Sequence, residues 1–176
     1  MADIINGFLE KVYIMISKED SNTIINQKPI TRNTYEDGKR FRNSNIEPVL
    51  HGFMKDMKPQ TDICDIFKQG WYGRKVGDKI TFYIHGSNIA LQYRKTIQGC
   101  APIAYAVIDG DKEHKIRLDG NFDEDWGDCL YLEEILYNDI EKEHCVEIII
   151  EEVPDDVSMD FYLVSIITSN ISFDSL

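Results

Sequence analysis

The sequence predicts a mostly β protein, an antiparallel β-sandwich that is preceded by one N-terminal α-helix. Three neighbouring runs, Ile80–Ile84, Ile89–Tyr93 and Ile103–Ile108, are rich in the β-branched and aromatic residues that favour strands. Turn residues separate the runs, and Asp109-Gly110 after the third is a strong hairpin signal because type I′ turns need positive φ. Many short strands with closely spaced turns favour a sandwich over a parallel α/β sheet.

The first predicted element is an amphipathic helix at residues 2–17. Its apolar residues recur at intervals of three and four positions, which places them on one helical face. These residues are Ile4, Ile5, Phe8, Leu9, Val12, Tyr13 and Ile16. The apolar face is explained either by packing on the sheet of the same domain or by packing in a preceding domain.

Residues 18–70 carry weaker patterns. We expect a short strand at Thr23–Ile25 and the first full strand at Ile63–Phe67, where apolar residues alternate with others. The remainder of this stretch is polar and broken by Pro and Gly, and no element is assigned to it.

The central runs are followed by further β signals. Lys115–Leu118 is predicted to pair with Ile103–Ile108 across the turn at Asp109–Asp111. Leu130–Tyr137 fits a short helix or a strand equally well. Two more strands are predicted at Cys145–Glu151 and Phe161–Thr168.

Composition excludes some classes of partner. The net charge of −12 argues against nucleic acid and anionic membrane surfaces, because both attract Lys and Arg. The four cysteines lack zinc-type spacing, and buried free thiols are favoured over disulfides. No secretory signal and no apolar run of about 20 residues is visible. If the chain is a whole protein we expect it in the cytoplasm, whereas for an excised piece the localisation stays unknown.

A family resemblance appears in the order of glycines and β residues across residues 77–110. The matching residues are Gly77, Ile80, Phe82, Ile84, Gly86, Ile89, Ala90, Leu91, Gly99, Ala101, Ala104, Ala106, Val107, Ile108, Asp109 and Gly110. His144–Ile148 and Phe161–Ile167 resemble the strands that follow in the same pattern. The order resembles the galactose-binding-like jelly rolls that are attached to SGNH (GDSL-type) hydrolases and related carbohydrate esterases.

This resemblance implies a domain organisation and a role. Residues 1–20 resemble the last helix of an SGNH catalytic domain, although no Asp-x-x-His block precedes them, and residues 21–176 are expected to form the accessory sandwich. The implied role is that of a non-catalytic C-terminal domain that binds glycan or docks on the catalytic domain. The implied parent is an esterase or acetylhydrolase that uses Ser-His-Asp acyl transfer, and no cofactor is implied.

The residues of this chain do not supply that chemistry. No Gly-Asp-Ser block occurs, and the nearest match, Gly127-Asp128-Cys129, comes late in the chain. Asp111–His114 matches Asp-x-x-His but lies at a predicted hairpin turn, where a solvated turn is the simpler interpretation. His144 and Cys145 are neighbours on a predicted strand, so their side chains point to opposite faces. We therefore expect no enzyme activity from this segment, and a small stand-alone hydrolase remains an alternative.

Sugar binding needs aromatic rings beside polar groups, because apolar sugar faces stack on rings while hydroxyls need directed partners. Trp126, in an acidic loop, is the best single candidate, although Trp126 and Trp71 are also explained as core or edge residues. The full set of candidates is Trp71, Tyr72, Tyr93, Arg94, Phe122 and Trp126. Expected partners are a glycan or the adjoining catalytic domain, with a purely structural or protein-interaction domain as the alternative.

The same acidic loop raises the question of calcium, because hard cations take carboxylate and carbonyl oxygens. Asp119, Asp123 and Asp125 are the candidate ligands. The spacing fails the EF-hand pattern, since Glu124 stands where that loop needs Gly and Leu130 where it needs Glu. Charge density alone supports calcium, so no metal is predicted.

Overall fold

The computed structural model describes residues 2–16, 37–137 and 140–170. The chain divides into two compact units, Met1–Arg32 and Asn33–Leu176. The domain boundary expected after residue 20 lies outside the described residues and stays a prediction. The strand expected at Thr23–Ile25 lies outside the described residues.

The first unit contains helix α1, Ala2–Ile16, as the apolar periodicity predicted. Six of its apolar side chains are at least half exposed: Ile5, Phe8, Leu9, Tyr13, Ile14 and Met15. Within the described ranges, no helix has the length and apolar character needed to cross a bilayer.

The second unit consists of two antiparallel sheets. The six-stranded sheet has the order β3-β4-β11-β6-β9, and β1 pairs with β11 beside this path. Its strands are β1 (Lys39–Phe41), β3 (Met54–Lys55), β4 (Trp71–Gly73), β6 (Asn88–Lys95), β9 (Cys129–Leu136) and β11 (Phe161–Ser169). The five-stranded sheet has the order β2-β5-β10-β7-β8. Its strands are β2 (Val49–His51), β5 (Lys79–Gly86), β7 (Ile103–Ile108), β8 (Ile116–Asp119) and β10 (Lys142–Glu152).

The core lies between the sheets and follows the alternation of the strands. Ile80, Phe82 and Ile84 of β5 are buried, while Tyr83 and His85 of the same strand are exposed. Other core side chains come from both sheets, among them Leu91, Leu118, Val146, Ile148, Phe161 and Leu163. The predicted jelly-roll sandwich with one N-terminal helix is thereby confirmed for the described part of the chain.

Two element predictions are resolved by the structure. Leu130–Tyr137, for which helix and strand were both open, forms most of strand β9. The strand predicted at Ile63–Phe67 is wrong. The Asp62 carboxylate accepts a hydrogen bond from the Cys64 amide at 2.9 Å and turns the chain there, and the Ile63 side chain is 87% exposed.

Candidate functional site

An exposed pair of aromatic rings lies in the loop between β8 and β9, residues 120–128. The Trp126 side chain is 67% exposed, whereas Phe122 is half-buried. Their ring centroids are 5.4 Å apart at an interplanar angle of 89°, an edge-to-face contact. Because Trp126 remains largely exposed beside Phe122, part of its indole surface is available to a ligand.

The base of this loop is fastened to the end of β6. The Thr96 amide donates to the Gly120 carbonyl at 2.9 Å, and the Phe122 amide donates to the Thr96 carbonyl at 3.1 Å. At the other end of the loop, Asp128 Oδ1 accepts from the Thr96 hydroxyl at 2.8 Å and from the Ile97 amide at 3.1 Å. Both ends of the loop are therefore held by one short segment, which fixes where its tip is presented.

Asn121 and Asp119 complete the anchor. Asn121 exchanges hydrogen bonds with the backbone of Ala101, at 2.8 and 3.0 Å. Asp119 Oδ1 accepts from the Asn121 amide at 2.9 Å, and Asp119 Oδ2 pairs with Arg117 at 2.8 Å. Burial alone would raise the pKa of Asp119, but these hydrogen bonds and the Arg117 charge outweigh burial and lower it.

The three calcium candidates, Asp119, Asp123 and Asp125, lie in different environments. Asp119 is engaged by Asn121 and Arg117, whereas Asp123 and Asp125 lie exposed near the tip of the loop. Among residues 2–16, 37–137 and 140–170, no group of three or more His, Cys, Asp or Glu side chains is arranged to hold a metal ion.

A second candidate surface is a polar cleft of about 340 Å³ beside the outer face of the six-stranded sheet. Tyr72 of β4 and Tyr162 of β11 are direct cross-strand partners there. On the other side of β11, Tyr93 of β6 pairs with Leu163, so the next residue of β6, Arg94, lies close to Tyr162. The segment from Asp56 to Lys68 and the segment Ser158–Asp160 form its walls. Tyr72 and Arg94, two of the predicted ligand residues, are therefore brought together in this cleft.

Arg94 packs beside two aromatic rings, Phe67 and Tyr162, that contact each other edge-to-face. Its guanidinium carbon lies 5.8 Å from the ring centroid of Phe67 and 5.5 Å from that of Tyr162. Nη2 donates to the Asp160 backbone carbonyl at 3.1 Å. Burial lowers the pKa of Arg94, partly offset by the negative charges of Asp128 and Asp160, and the group remains a cation.

Tyr162 and Asp56 tie the wall of the cleft to the sheet. The Tyr162 hydroxyl donates to Asp56 Oδ2 at 2.7 Å and accepts from the Gly70 amide at 3.1 Å. Both side chains are buried. Burial and the bond to the Asp56 carboxylate raise the pKa of Tyr162, so its hydroxyl stays protonated. A methyl group at Gly70 would collide with the Leu163 carbonyl, and glycine thus permits this close approach.

The predictions for Trp71 and Tyr93 as ligand residues need correction. Trp71 is 0% and Tyr93 1% exposed, so neither ring can meet a sugar. Trp71 makes an edge contact with Phe82 across the two sheets, with ring centroids 5.3 Å apart. Tyr93 stacks on Phe161 at 5.6 Å. Both belong to the core, one of the two interpretations open for Trp71.

The histidines that matched catalytic patterns form carboxylate pairs in two different settings. His114 Nδ1 lies 2.8 Å from Asp111 Oδ2 on an exposed turn, where Asp111 is the one hydrogen-bond partner of the His114 side chain among the described residues. His144 Nδ1 lies 2.9 Å from Asp109 Oδ2, but the His144 side chain is 0% exposed, so no substrate can touch it.

The cysteines are free thiols, but none is fully buried as expected: Cys64 is exposed, and Cys100, Cys129 and Cys145 are partly buried. Cys100 donates to Asp156 at 3.1 Å, and this bond raises the pKa of the thiol. Burial and the negative charges of Glu147 and Asp109 also raise the pKa of Cys145. A raised pKa lowers the fraction of thiolate, the form that acts as a nucleophile, at Cys100 and Cys145.

Several residues of the cleft escaped the sequence interpretation, namely Asp56, Lys58, Phe67, Lys68, Arg74, Ser158, Met159, Asp160 and Tyr162. Asp56 and Tyr162 are 106 positions apart, and no local pattern reports such a contact. The one available signal was the alternation of side chains along a strand. Phe161 and Leu163 point into the core, so Tyr162 between them is expected on the outer face of the sheet.

No protein-family model matches the chain, and no curated protein matches it. Among solved structures, a two-domain esterase (CEX) active on acetylated mannans, co-crystallized with mannopentaose, is 45% identical with a TM-score of 0.79. The match covers 96% of this chain and 44% of that chain. A second structure of a two-domain esterase (CEX) active on acetylated mannans gives 44% identity, a TM-score of 0.80, and coverage of 96% and 45%.

A more distant structure, a family two carbohydrate esterase from Cellvibrio japonicus, is 14% identical with a TM-score of 0.48, covering 75% of this chain and 33% of that one. The chain spans less than half the length of the esterases that it matches at over 40% identity. The predicted resemblance to part of an esterase is therefore confirmed: over nearly all of its length, this chain is similar to one portion of a two-domain esterase that acts on acetylated mannans.

Proposed function

We propose that this chain is the non-catalytic, carbohydrate-binding accessory domain of an SGNH-type esterase or acetylhydrolase. The observation that carries the proposal is the 45% identity, over 96% of the chain, to part of an esterase that was crystallised with mannopentaose. The ligand class that follows is a manno-oligosaccharide or a related plant-type glycan, and the Phe122–Trp126 pair is the surface that meets it.

The geometry of the β8–β9 loop supports a role as a sugar platform. A flat indole face can cover the apolar face of a pyranose ring, and the exposed carboxylates of Asp123 and Asp125 on the same loop can accept hydrogen bonds from hydroxyls. The anchored base reduces the conformational entropy lost when a ligand binds, because the ring is already positioned.

A non-catalytic role agrees with the arrangement of the potential catalytic groups. His144 is fully buried, and the side chain of His114 pairs with Asp111 on a solvated turn. The Gly-Asp-Ser nucleophile block of SGNH hydrolases does not occur in the sequence. In this proposal, the acyl-transfer chemistry belongs to a separate domain of the parent protein.

Helix α1 fits the proposal that residues 1–20 are the tail of that catalytic domain. Its apolar side chains are largely exposed, and an amphipathic helix of this kind needs an apolar partner surface. The match to the two-domain esterase leaves out 4% of the chain, fewer residues than the 15 of α1, so the helix is at least partly included in the similarity.

A calorimetric titration of the chain with mannopentaose tests the proposal. We expect binding that weakens about fivefold or more on Trp126→Ala, because truncating an aromatic anchor typically costs about 1–3 kcal/mol of binding free energy. Tyr83→Ala, which removes an equally exposed ring from the other sheet, is the matched control and should leave the affinity unchanged. If mannopentaose and a glycan array both give no binding, the structural or protein-interaction alternative replaces this proposal.

The stand-alone hydrolase alternative has its own test. Hydrolysis of p-nitrophenyl acetate by the isolated chain, lost on His114→Ala and kept in His85→Ala, would show that the exposed Asp111–His114 pair is catalytic. We expect both variants and the parent chain to give no hydrolysis above the buffer rate.

A further inference from the structure

The cleft beside the outer face of the six-stranded sheet has a local excess of positive charge. Its lining includes four cationic side chains and two carboxylates: Lys58, Lys68, Arg74 and Arg94, with Asp56 and Asp160. The chain as a whole has a net charge of −12, so a cationic recess is not a reflection of its composition. Such a recess concentrates anions from solution.

The two carboxylates in the cleft already have other partners. Asp160 Oδ1 accepts a hydrogen bond from Arg74 Nε at 2.6 Å. Asp56 accepts from the Tyr162 hydroxyl at 2.7 Å and from the Lys58 backbone amide at 3.0 Å. Lys58 Nζ and the Arg94 guanidinium form no ion pair with a carboxylate among the described residues. Two positive charges in the recess are therefore left without a direct counter-charge.

Arg94 is also preorganised. Its guanidinium carbon lies 5.8 Å from the ring centroid of Phe67 and 5.5 Å from that of Tyr162, and its one hydrogen bond to the described part of the chain goes to the Asp160 backbone carbonyl. Nε is buried and donates to no acceptor among the described residues. A partly desolvated cation that lacks an anionic partner is costly, and an anion bound beside it would offset that cost.

We propose that this cleft is a second ligand site, which binds a sugar that carries a carboxylate. The carboxylate would lie against Arg94 and Lys58, since a guanidinium matches the planar geometry of a carboxylate. The ring would lie toward Tyr72, which is partly buried and lines the same cleft. A volume of about 340 Å³ suits one or two sugar rings. This inference rests on the proposed carbohydrate-binding role and adds an acidic ligand class to it.

The test compares two probes with the same sugar backbone, one with charged carboxylates and one with neutral methyl esters. The chain is titrated with trigalacturonate and with its fully methyl-esterified form, and amide shifts are followed by NMR. We expect the acid to bind at least tenfold more tightly than the ester in 20 mM salt, and the difference to shrink in 500 mM salt because screening weakens the interaction. Equal affinities for acid and ester, or an advantage of the acid that salt does not change, would overturn the proposal.

Variants locate the site. Lys58 is exposed, so Lys58→Gln retains the fold and should weaken trigalacturonate binding about two- to five-fold, as expected for one exposed charge pair. Arg94→Gln should weaken it tenfold or more. Lys112→Gln, on the turn between β7 and β8, is the charge-matched control and should have no effect. Unchanged binding in Lys58→Gln and Arg94→Gln would place the acid elsewhere and refute the assignment.

Two further measurements separate the outcomes. Acetate at the same concentration should displace trigalacturonate only weakly, and equally strong displacement would reduce the cleft to an unspecific anion site and overturn the sugar assignment. Mannopentaose binding should be unaffected by Lys58→Gln, because the neutral glycan uses Trp126. The proposed acidic-sugar site in the cleft can thus be refuted while the proposed glycan site at Trp126 is supported, and the glycan site can be refuted while the cleft site is supported.

Discussion

Removing one hydroxyl group should test how the wall of the cleft is held to the sheet. In Tyr162→Phe the ring and its packing against Phe67 are retained, while the hydrogen bonds to Asp56 Oδ2 and from the Gly70 amide are lost. Asp56 is 8% and Tyr162 6% exposed, so water cannot readily replace the missing hydroxyl. The variant leaves a buried carboxylate and a buried amide each short of one partner.

The magnitude follows from these two hydrogen bonds. A neutral hydrogen bond contributes about 1 kcal/mol of net stability and one to a charged group about 1.5–3 kcal/mol. Together they predict that the free energy of unfolding falls by about 2–4 kcal/mol. For a domain of this size, a loss of that order lowers the melting temperature by about 5–15 °C.

Urea unfolding followed by circular dichroism measures the loss. Tyr72→Phe is the matched control, because Tyr72 is the cross-strand partner of Tyr162 and its hydroxyl has no hydrogen-bond partner among the described residues. We expect the control to change the free energy of unfolding by less than about 0.5 kcal/mol. If Tyr162→Phe changes stability no more than Tyr72→Phe does, the Tyr162–Asp56 contact does not hold the wall.

Three further predictions concern the same two surfaces and the thiols. Gly70→Ala should destabilise the chain by about 1–3 kcal/mol in urea unfolding, because the added methyl group would lie 2.8 Å from the Tyr162 ring and collide with the Leu163 carbonyl; unchanged stability would contradict the close approach. Asp119 has a lowered pKa, so its contribution is fully present above the unfolded pKa of about 3.9 and is lost as the pH falls through the folded value. Asp119→Asn should therefore be less stable than the parent at pH 7, and the difference should shrink as the pH falls below about 3.9. Asp123→Asn, at the exposed tip of the loop, is the control at pH 7 and should match the parent there. A difference for Asp119→Asn that does not change with pH would contradict the role of Asp119 in anchoring the loop. Cys64 should react first with a thiol reagent, because it is exposed and the pKa of Cys100 and of Cys145 is raised; a first label at another cysteine, by mass spectrometry, would show that exposure does not control reactivity.

The core of the sandwich could be predicted because the alternation of apolar and polar residues within a single strand shows which face is buried. The alternation of Ile80, Phe82 and Ile84 fixes which face of β5 is buried. The same rule would have removed Tyr93 from the ligand candidates, since it lies on the same face of β6 as Ile89 and Leu91, which are buried. Trp71 was harder, because β4 has only three residues and shows no alternation.

The cleft could not be predicted, because it depends on contacts between distant segments. The wall from Asp56 to Lys68 is held by bonds to Tyr162, Arg42 and Asn43, none of which leaves a periodic trace in the sequence. The apparent alternation at Ile63–Phe67 was misleading for the same reason. Phe67 lies against Tyr162 from outside the sheet, and its apolar character reflects that contact instead of a strand.

The central claim is that the indole of Trp126 meets the glycan, and tryptophan fluorescence tests it most directly. The chain has two tryptophans, Trp71 in the core and Trp126 at the loop tip, so Trp71→Phe leaves all indole emission to Trp126. In this variant, with its fold verified by circular dichroism, mannopentaose should shift the emission to shorter wavelength and reduce quenching by acrylamide. Emission and quenching that stay unchanged while calorimetry registers mannopentaose binding would contradict the claim.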